Sequence, residues 1–336
     1  MSDDNLEKGW RSFEDSEFDK AKSIAERELR DNPEDPESML LLAASHRGLG
    51  DFEQALEVLE AATDIAVDWS APELWMAEIL AQDLDRPVEA LDHAAQALER
   101  AEEEDEFIDA IVLKAGLEIQ LGKIRAARST LSELPPLDEV KLPTESSLDL
   151  AYLFLEAEAV DEAERLFRSI IEADQRNEEA CYGLGLCAEA AGDEKAKREA
   201  WLRVLALDTE TPLHEAHMSE QEMAEVAEQA LKELPERARR LIENVPILIV
   251  DLPARDEVEQ GLDPRLLGLF AGSAYADASV MGGPPQLTQI LLFRKNLERM
   301  AIDADDLREQ IRVTLLHETG HFFGMSEADL AAVGLD

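Results

Sequence analysis

The sequence predicts a multidomain chain: an all-α superhelix of stacked helical hairpins over residues 1–210, then a small α+β domain over 219–336, with 211–218 as the linker. Three observations carry this. A small residue followed four positions later by another small or a bulky apolar one recurs down the first 210 residues at a period near 34. Beyond that point, short β-branched runs replace the helical spacing. The last long helical stretch carries two histidines four apart with a glutamate between them.

The recurring pairs are Ala21/Ala25, Ala55/Leu59, Ala90/Ala94, Ala127/Leu131, Ala163/Phe167 and Lys197/Trp201, with first members 34, 35, 37, 36 and 34 residues apart. A single helical hairpin cannot bury its apolar face alone. Alanine at the crossing lets two helices approach closely, and the next hairpin covers the remaining stripe. Gly48-Leu49-Gly50-Asp51 and Leu121-Gly122-Lys123 have the composition of turns between helices, as does Ala191-Gly192-Asp193. The third unit has Leu84-Asp85-Arg86-Pro87 at its turn, without glycine, and the sixth has Lys197 in the small-residue slot. These segments, with Pro33 after the first hairpin, resemble the tetratricopeptide repeat family in about six units. That resemblance implies a concave face that holds a protein or peptide. Trp75, Trp201 and Phe167 are read as core, and His46 and His93 as structural or surface histidines.

Composition narrows the partners. With 76 acidic against 32 basic residues the formal charge is −44, which repels nucleic acid phosphates and anionic membrane surfaces; it reads first as a well-solvated helical surface, with a basic protein or peptide partner as the alternative. A hydrophobic content of 45 % separates the chain from disordered acidic tails. No apolar stretch approaches the roughly 18 residues of a membrane span, and the acidic start has no signal-peptide core. Cys181 and Cys187, six apart on a helical stretch, read as small core residues of a reducing compartment, so a cytoplasmic location is expected.

Thr209 to Leu213 breaks the repeats. His214 and His217 follow as H-x-x-H and read as linker surface rather than as ligands, since no third partner lies nearby. Helical spacing resumes over about 220–233 and 235–243, and 245–250 is an apolar strand. Residues 264–285, rich in glycine and proline, read as a long functional loop. A second strand is expected at 289–293 and a short helix at 296–300. Asp303 is the expected N-cap of a last helix reaching Phe323.

That helix ends in His317-Glu318-Thr319-Gly320-His321-Phe322-Phe323-Gly324-Met325-Ser326-Glu327. Histidines at i and i+4 share one helix face and suit a single Zn²⁺ at about 2.0–2.1 Å from each nitrogen. Glu318 is placed to take a proton from a metal-bound water rather than to ligate. Gly324 suits a left-handed helix end, after which the chain turns and brings Glu327 back as third ligand.

The last hundred or so residues resemble the small bacterial zincin-like metallopeptidases. Leu267–Gly272, Ile290–Arg299 and Val313–Gly324 carry the likeness, together with Ser326–Leu330 and Gly334. The resemblance implies a zinc peptidase in which His317, His321 and Glu327 hold the metal and Glu318 is the general base. That family often has aspartate where Glu327 stands, which leaves Asp329 as the weaker ligand candidate. Tyr275 is a weaker candidate for a donor to the oxyanion. The architecture also implies that strand 289–293 is an edge able to hold an extended peptide. The competing expectation is a repeat adaptor whose zincin-like part is structural or inactive; the intact His-Glu-His set favours the enzyme.

Overall fold

In a computed structural model the described residues are 2–136, 142–213, 216–234, 236–242, 245–272, 289–326 and 329. The chain forms two compact units, Met1–Ile170 and Ile171–Asp336. The division by packing therefore falls earlier than the division by sequence pattern at residue 210.

The first unit is built from antiparallel helical hairpins. They are α1 (Ser2–Glu14) with α2 (Phe18–Asp31), α3 (Pro36–Gly48) with α4 (Phe52–Ile65), α5 (Ala71–Glu78) with α6 (Pro87–Arg100), α7 (Glu104–Gln120) with α8 (Ile124–Leu131), and α9 (Thr144–Glu156) with α10 (Val160–Ala173), whose end crosses into the second unit. The expected small-residue slots are all second-helix positions, and Ala21, Ala55, Ala90, Ala127 and Ala163 are fully buried. Their bulky partners Leu59, Leu131 and Phe167 are buried with them. Trp75 is half-buried in an aromatic cluster with Trp10 and Phe13. His46 and His93 sit against Asp51 and the buried Glu73, with Nδ1–carboxylate distances of 3.4 and 2.7 Å.

Every hairpin turn holds a residue at positive φ: Ser16 (59°), Gly50 (81°), Asp85 (52°), Gly122 (69°), Glu158 (57°) and, in the second unit, Gly192 (71°). The third unit thus keeps the turn without glycine by placing an aspartate, whose short polar side chain tolerates the left-handed region. Its first helix also ends in a π-helical segment, Ile79–Asp83, and Arg47 joins this end by pairing with Glu78 and Asp83.

The second unit opens with one more hairpin, α11 (Glu178–Ala190) and α12 (Glu194–Glu210). Lys197 fills the small-residue slot by laying its stem along Trp201, with Nζ 5.0 Å from the ring centroid and paired to Glu194. Cys181 and Cys187 are buried and form no disulfide with each other. Trp201 and Leu205 of α12 pack with Val258 and Leu252, so this hairpin shares a core with the chain beyond it.

There follow α13 (Glu220–Glu233), α14 (Glu236–Ile242), β1 (Ile247–Val250), α15 (Arg255–Glu259), β2 (Gly268–Ala271), β3 (Gln289–Phe293), α16 (Arg294–Met300) and α17 (Ala304–Phe322). Ser219 and Glu222 form a reciprocal cap at the start of α13. Within the expected linker, Met218 is buried, and the His217 and Met218 amides donate to the carboxylate of Glu298. His214 lies outside the described residues.

The sheet order is β1-β3-β2, with β1 parallel and β2 antiparallel to β3. Two expectations are corrected here. The loop expected over 264–285 contains β2, its part from 273 on lying outside the described residues, and among the described residues Gln289–Phe293 is the central strand, with β2 at an edge. The composition of β3 is consistent with this: Ile290, Leu291, Leu292 and Phe293 are buried on both faces, as a central strand requires. Ile290 and Leu292 pack against Ile311 and Leu315 of α17 and Met223 and Ala227 of α13, which fixes α17 across the sheet.

Candidate active site

The site is built at the C-terminal end of α17, on a helix whose termini are both explicitly closed. At its start the Asp303 carboxylate accepts from the Asp305 and Asp306 amides at 2.9 Å each. These bonds hold its pKa below the usual carboxylate range. At its end Gly324 takes φ +81°. The Gly324 amide donates to His321 O and the Met325 amide to Gly320 O, both at 3.0 Å, the paired bonds of a Schellman turn. The expected glycine stop is therefore present, and it turns the chain three residues after His321.

His317 and His321 project from one face. Their Nε2 atoms stand 2.9 Å apart and their ring centroids 4.7 Å apart. Glu318, between them in sequence, is 7 % exposed. Its Oε2 accepts the Phe270 amide of β2 at 2.6 Å. The contact requires β2 to lie almost on the helix. A Cβ on Gly268 would stand 2.6 Å from Thr314 Cγ2 and 3.1 Å from Glu318 Cγ, so only glycine permits this approach without displacement. Phe270 closes the apolar side by an edge-to-face contact with Phe322, at 5.7 Å between centroids.

The donor set fits a divalent metal of the zinc type. Two imidazole Nε2 atoms converge on one point from adjacent helical turns, and a buried carboxylate lies beside them. Among the described residues no three His, Cys, Asp or Glu side chains form a metal-holding group. Glu327 and Tyr275 lie outside those residues. Asp329 does not join the histidines. Its exposed carboxylate accepts from the Ser326 amide and hydroxyl at 2.9 and 2.6 Å, and these bonds lower its pKa. The contribution of β2 was the part that sequence reasoning missed. Its signal was the short apolar run Leu267–Ala271, between a proline and a glycine.

Residues 242–335 match the family model for zincin-like metallopeptidases. Residues 12–79 and 148–212 match two tetratricopeptide repeat models. Among solved structures, the pilF protein of Pseudomonas aeruginosa is 14 % identical, covering 62 % of this chain and 93 % of its own at a TM-score of 0.50. The type IV pilus biogenesis factor PilW is 17 % identical, covering 62 % and 94 % at 0.48. A thermophilic tetratricopeptide repeat protein in Thermus thermophilus is 20 % identical, covering 57 % and 98 % at 0.41. Among curated proteins none matches the chain. The chain is a tetratricopeptide repeat array followed by a zincin-like domain. Among the described residues no helix is long and apolar enough to cross a membrane.

Proposed function

We propose that this protein is a zinc-dependent metallopeptidase whose repeat array recruits a protein or peptide. The observation that carries the proposal is the convergence of His317 Nε2 and His321 Nε2, 2.9 Å apart, on the helix that also carries the buried Glu318.

In this reading His317, His321 and Glu327 hold the zinc. When bound, the metal supplies a water of lowered pKa and polarises the scissile carbonyl. Glu318 takes the proton and returns it to the leaving amine. Its bond from the Phe270 amide aims the carboxylate. β2, as the edge strand beside the site, replaces 289–293 as the surface on which an extended peptide would lie. The surplus of acidic residues favours basic partners for the array.

The test is metal content and turnover of purified full-length protein on a peptide library, compared with Glu318→Gln. Zinc bound to both proteins, with turnover in the wild type alone, supports the enzyme. Bound zinc with no turnover in either would instead favour the adaptor reading.

A further inference from the structure

We propose that Arg265 is a positioning residue that makes the last helical hairpin part of the active-site scaffold: it ties α11 and α12 to the entry of β2 and so keeps the Phe270 amide on Glu318. The proposal rests on the metallopeptidase reading for what Glu318 does, and on geometry alone for how Glu318 is held.

The Arg265 side chain is 10 % exposed and is met by both helices of the hairpin. From α11, both carboxylate oxygens of Glu179 accept from Nη1 at 2.7 Å, and the Tyr182 ring lies 4.7 Å from the guanidinium carbon. From α12, Asp208 Oδ2 lies 3.6 Å from Nε. The Asp208 side chain is fully buried and also accepts from Arg299 Nη2 of α16 at 2.6 Å. The Tyr182 hydroxyl donates to Asp263 Oδ2, and Asp263 Oδ1 accepts the Arg265 amide, both at 2.8 Å. A guanidinium this desolvated is held in one geometry by its partners, because each displacement leaves a buried charge uncompensated.

From Arg265 the restraint runs without a break to the site. Asn296 Nδ2 donates to Pro264 O at 2.9 Å and to Leu266 O at 2.7 Å. The Phe293 amide donates to Leu267 O at 2.9 Å. Gly268 then lies against Thr314 and Glu318, and Phe270 delivers its amide to Glu318 Oε2. β2 has four residues and β3 as its only strand partner among the described residues, so its own ladder bonds set its height weakly. Its entry segment supplies the remaining restraint. A shift on the order of 1 Å at Phe270 is enough to break the bond.

The experiment uses the full chain with Arg265→Ala, Arg265→Lys and Glu179→Ala. It reads amide hydrogen exchange at Phe270, with Leu292 of the central strand as control, alongside kcat and KM on the library peptide. We expect Phe270 to exchange about 10-fold faster in both alanine variants with Leu292 unchanged, and kcat to fall about 10-fold or more with KM nearly constant. Arg265→Lys should restore part of both effects. Unchanged exchange at Phe270, or equal acceleration at Phe270 and Leu292, would overturn the proposal. Should Arg265→Ala fail to fold, Glu179→Ala carries the test from the half-exposed partner. A wild type without turnover removes the enzyme reading alone, since the exchange measurement still decides the positioning role.

Discussion

The Phe270 amide donates to Glu318 Oε2 across 48 residues of chain, joining the edge strand to the helix of the two histidines. It makes the placement of the glutamate depend on a strand remote in sequence from the helix that carries it. The geometry works only because residue 268 has no Cβ.

Gly268→Ala tests that dependence. The added carbon would meet Thr314 Cγ2 at 2.6 Å, a methyl of a buried β-branched side chain with restricted rotation. Overpacking of this kind costs about 1–3 kcal/mol. A urea titration of the full chain should show that loss in the transition of the second unit, and the Phe270 amide should lose protection from exchange.

Metal binding should be separable from catalysis. His321→Ala removes one of two converging nitrogens and is expected to abolish tight zinc uptake, measured by elemental analysis after dialysis. Zinc at 100 times its dissociation constant should stabilise the wild type by about 2.7 kcal/mol, and a chelator should remove that gain. In His321→Ala the melting temperature should not respond to either.

Much of this molecule was legible in one dimension. Five of the six slots announced themselves because a close helix crossing favours a small side chain, and the same steric demand recurs at a fixed period, which also placed Lys197 in the sixth. The His-Glu-His spacing and Gly324 were legible because each is a local consequence of helix geometry. What could not be read was set by distant partners. Asp208 gives no sign in sequence of Arg299, 91 residues on, so the fusion of the last hairpin with the zincin-like domain was invisible. β2 was hidden because four residues between turn formers give too little periodicity, and its edge position depends on pairing alone.

The left-handed turn positions make a prediction about stability. Glu158 adopts φ 57° where three other hairpins use glycine, and its side chain gains only a long contact to Arg128 at 3.4 Å. The left-handed region costs an L-residue roughly 1–2 kcal/mol, partly offset in glycine by its greater unfolded entropy. Glu158→Gly should therefore stabilise the first unit by up to about 1 kcal/mol in a denaturant titration. Gly122→Glu, the reverse change one hairpin earlier, should destabilise it.

The cap of the active-site helix predicts a pH dependence. The Asp303 carboxylate accepts two amides, and its folded pKa lies below the unfolded value. A group depressed on folding stabilises the protein above its unfolded pKa and loses that contribution as pH falls through the folded one. Asp303→Ala should therefore lower the melting temperature at neutral pH. The gap between variant and wild type should narrow through the acidic range, where the wild-type carboxyl protonates and releases the amides. Asp303→Asn retains the acceptor oxygen but cannot titrate. It should remain close to the wild type at neutral pH and show a shallower fall in acid, and melting curves of all three proteins across that range separate the charge from the hydrogen bonds. A gap for Asp303→Ala that is constant with pH would mean the cap acts without its charge.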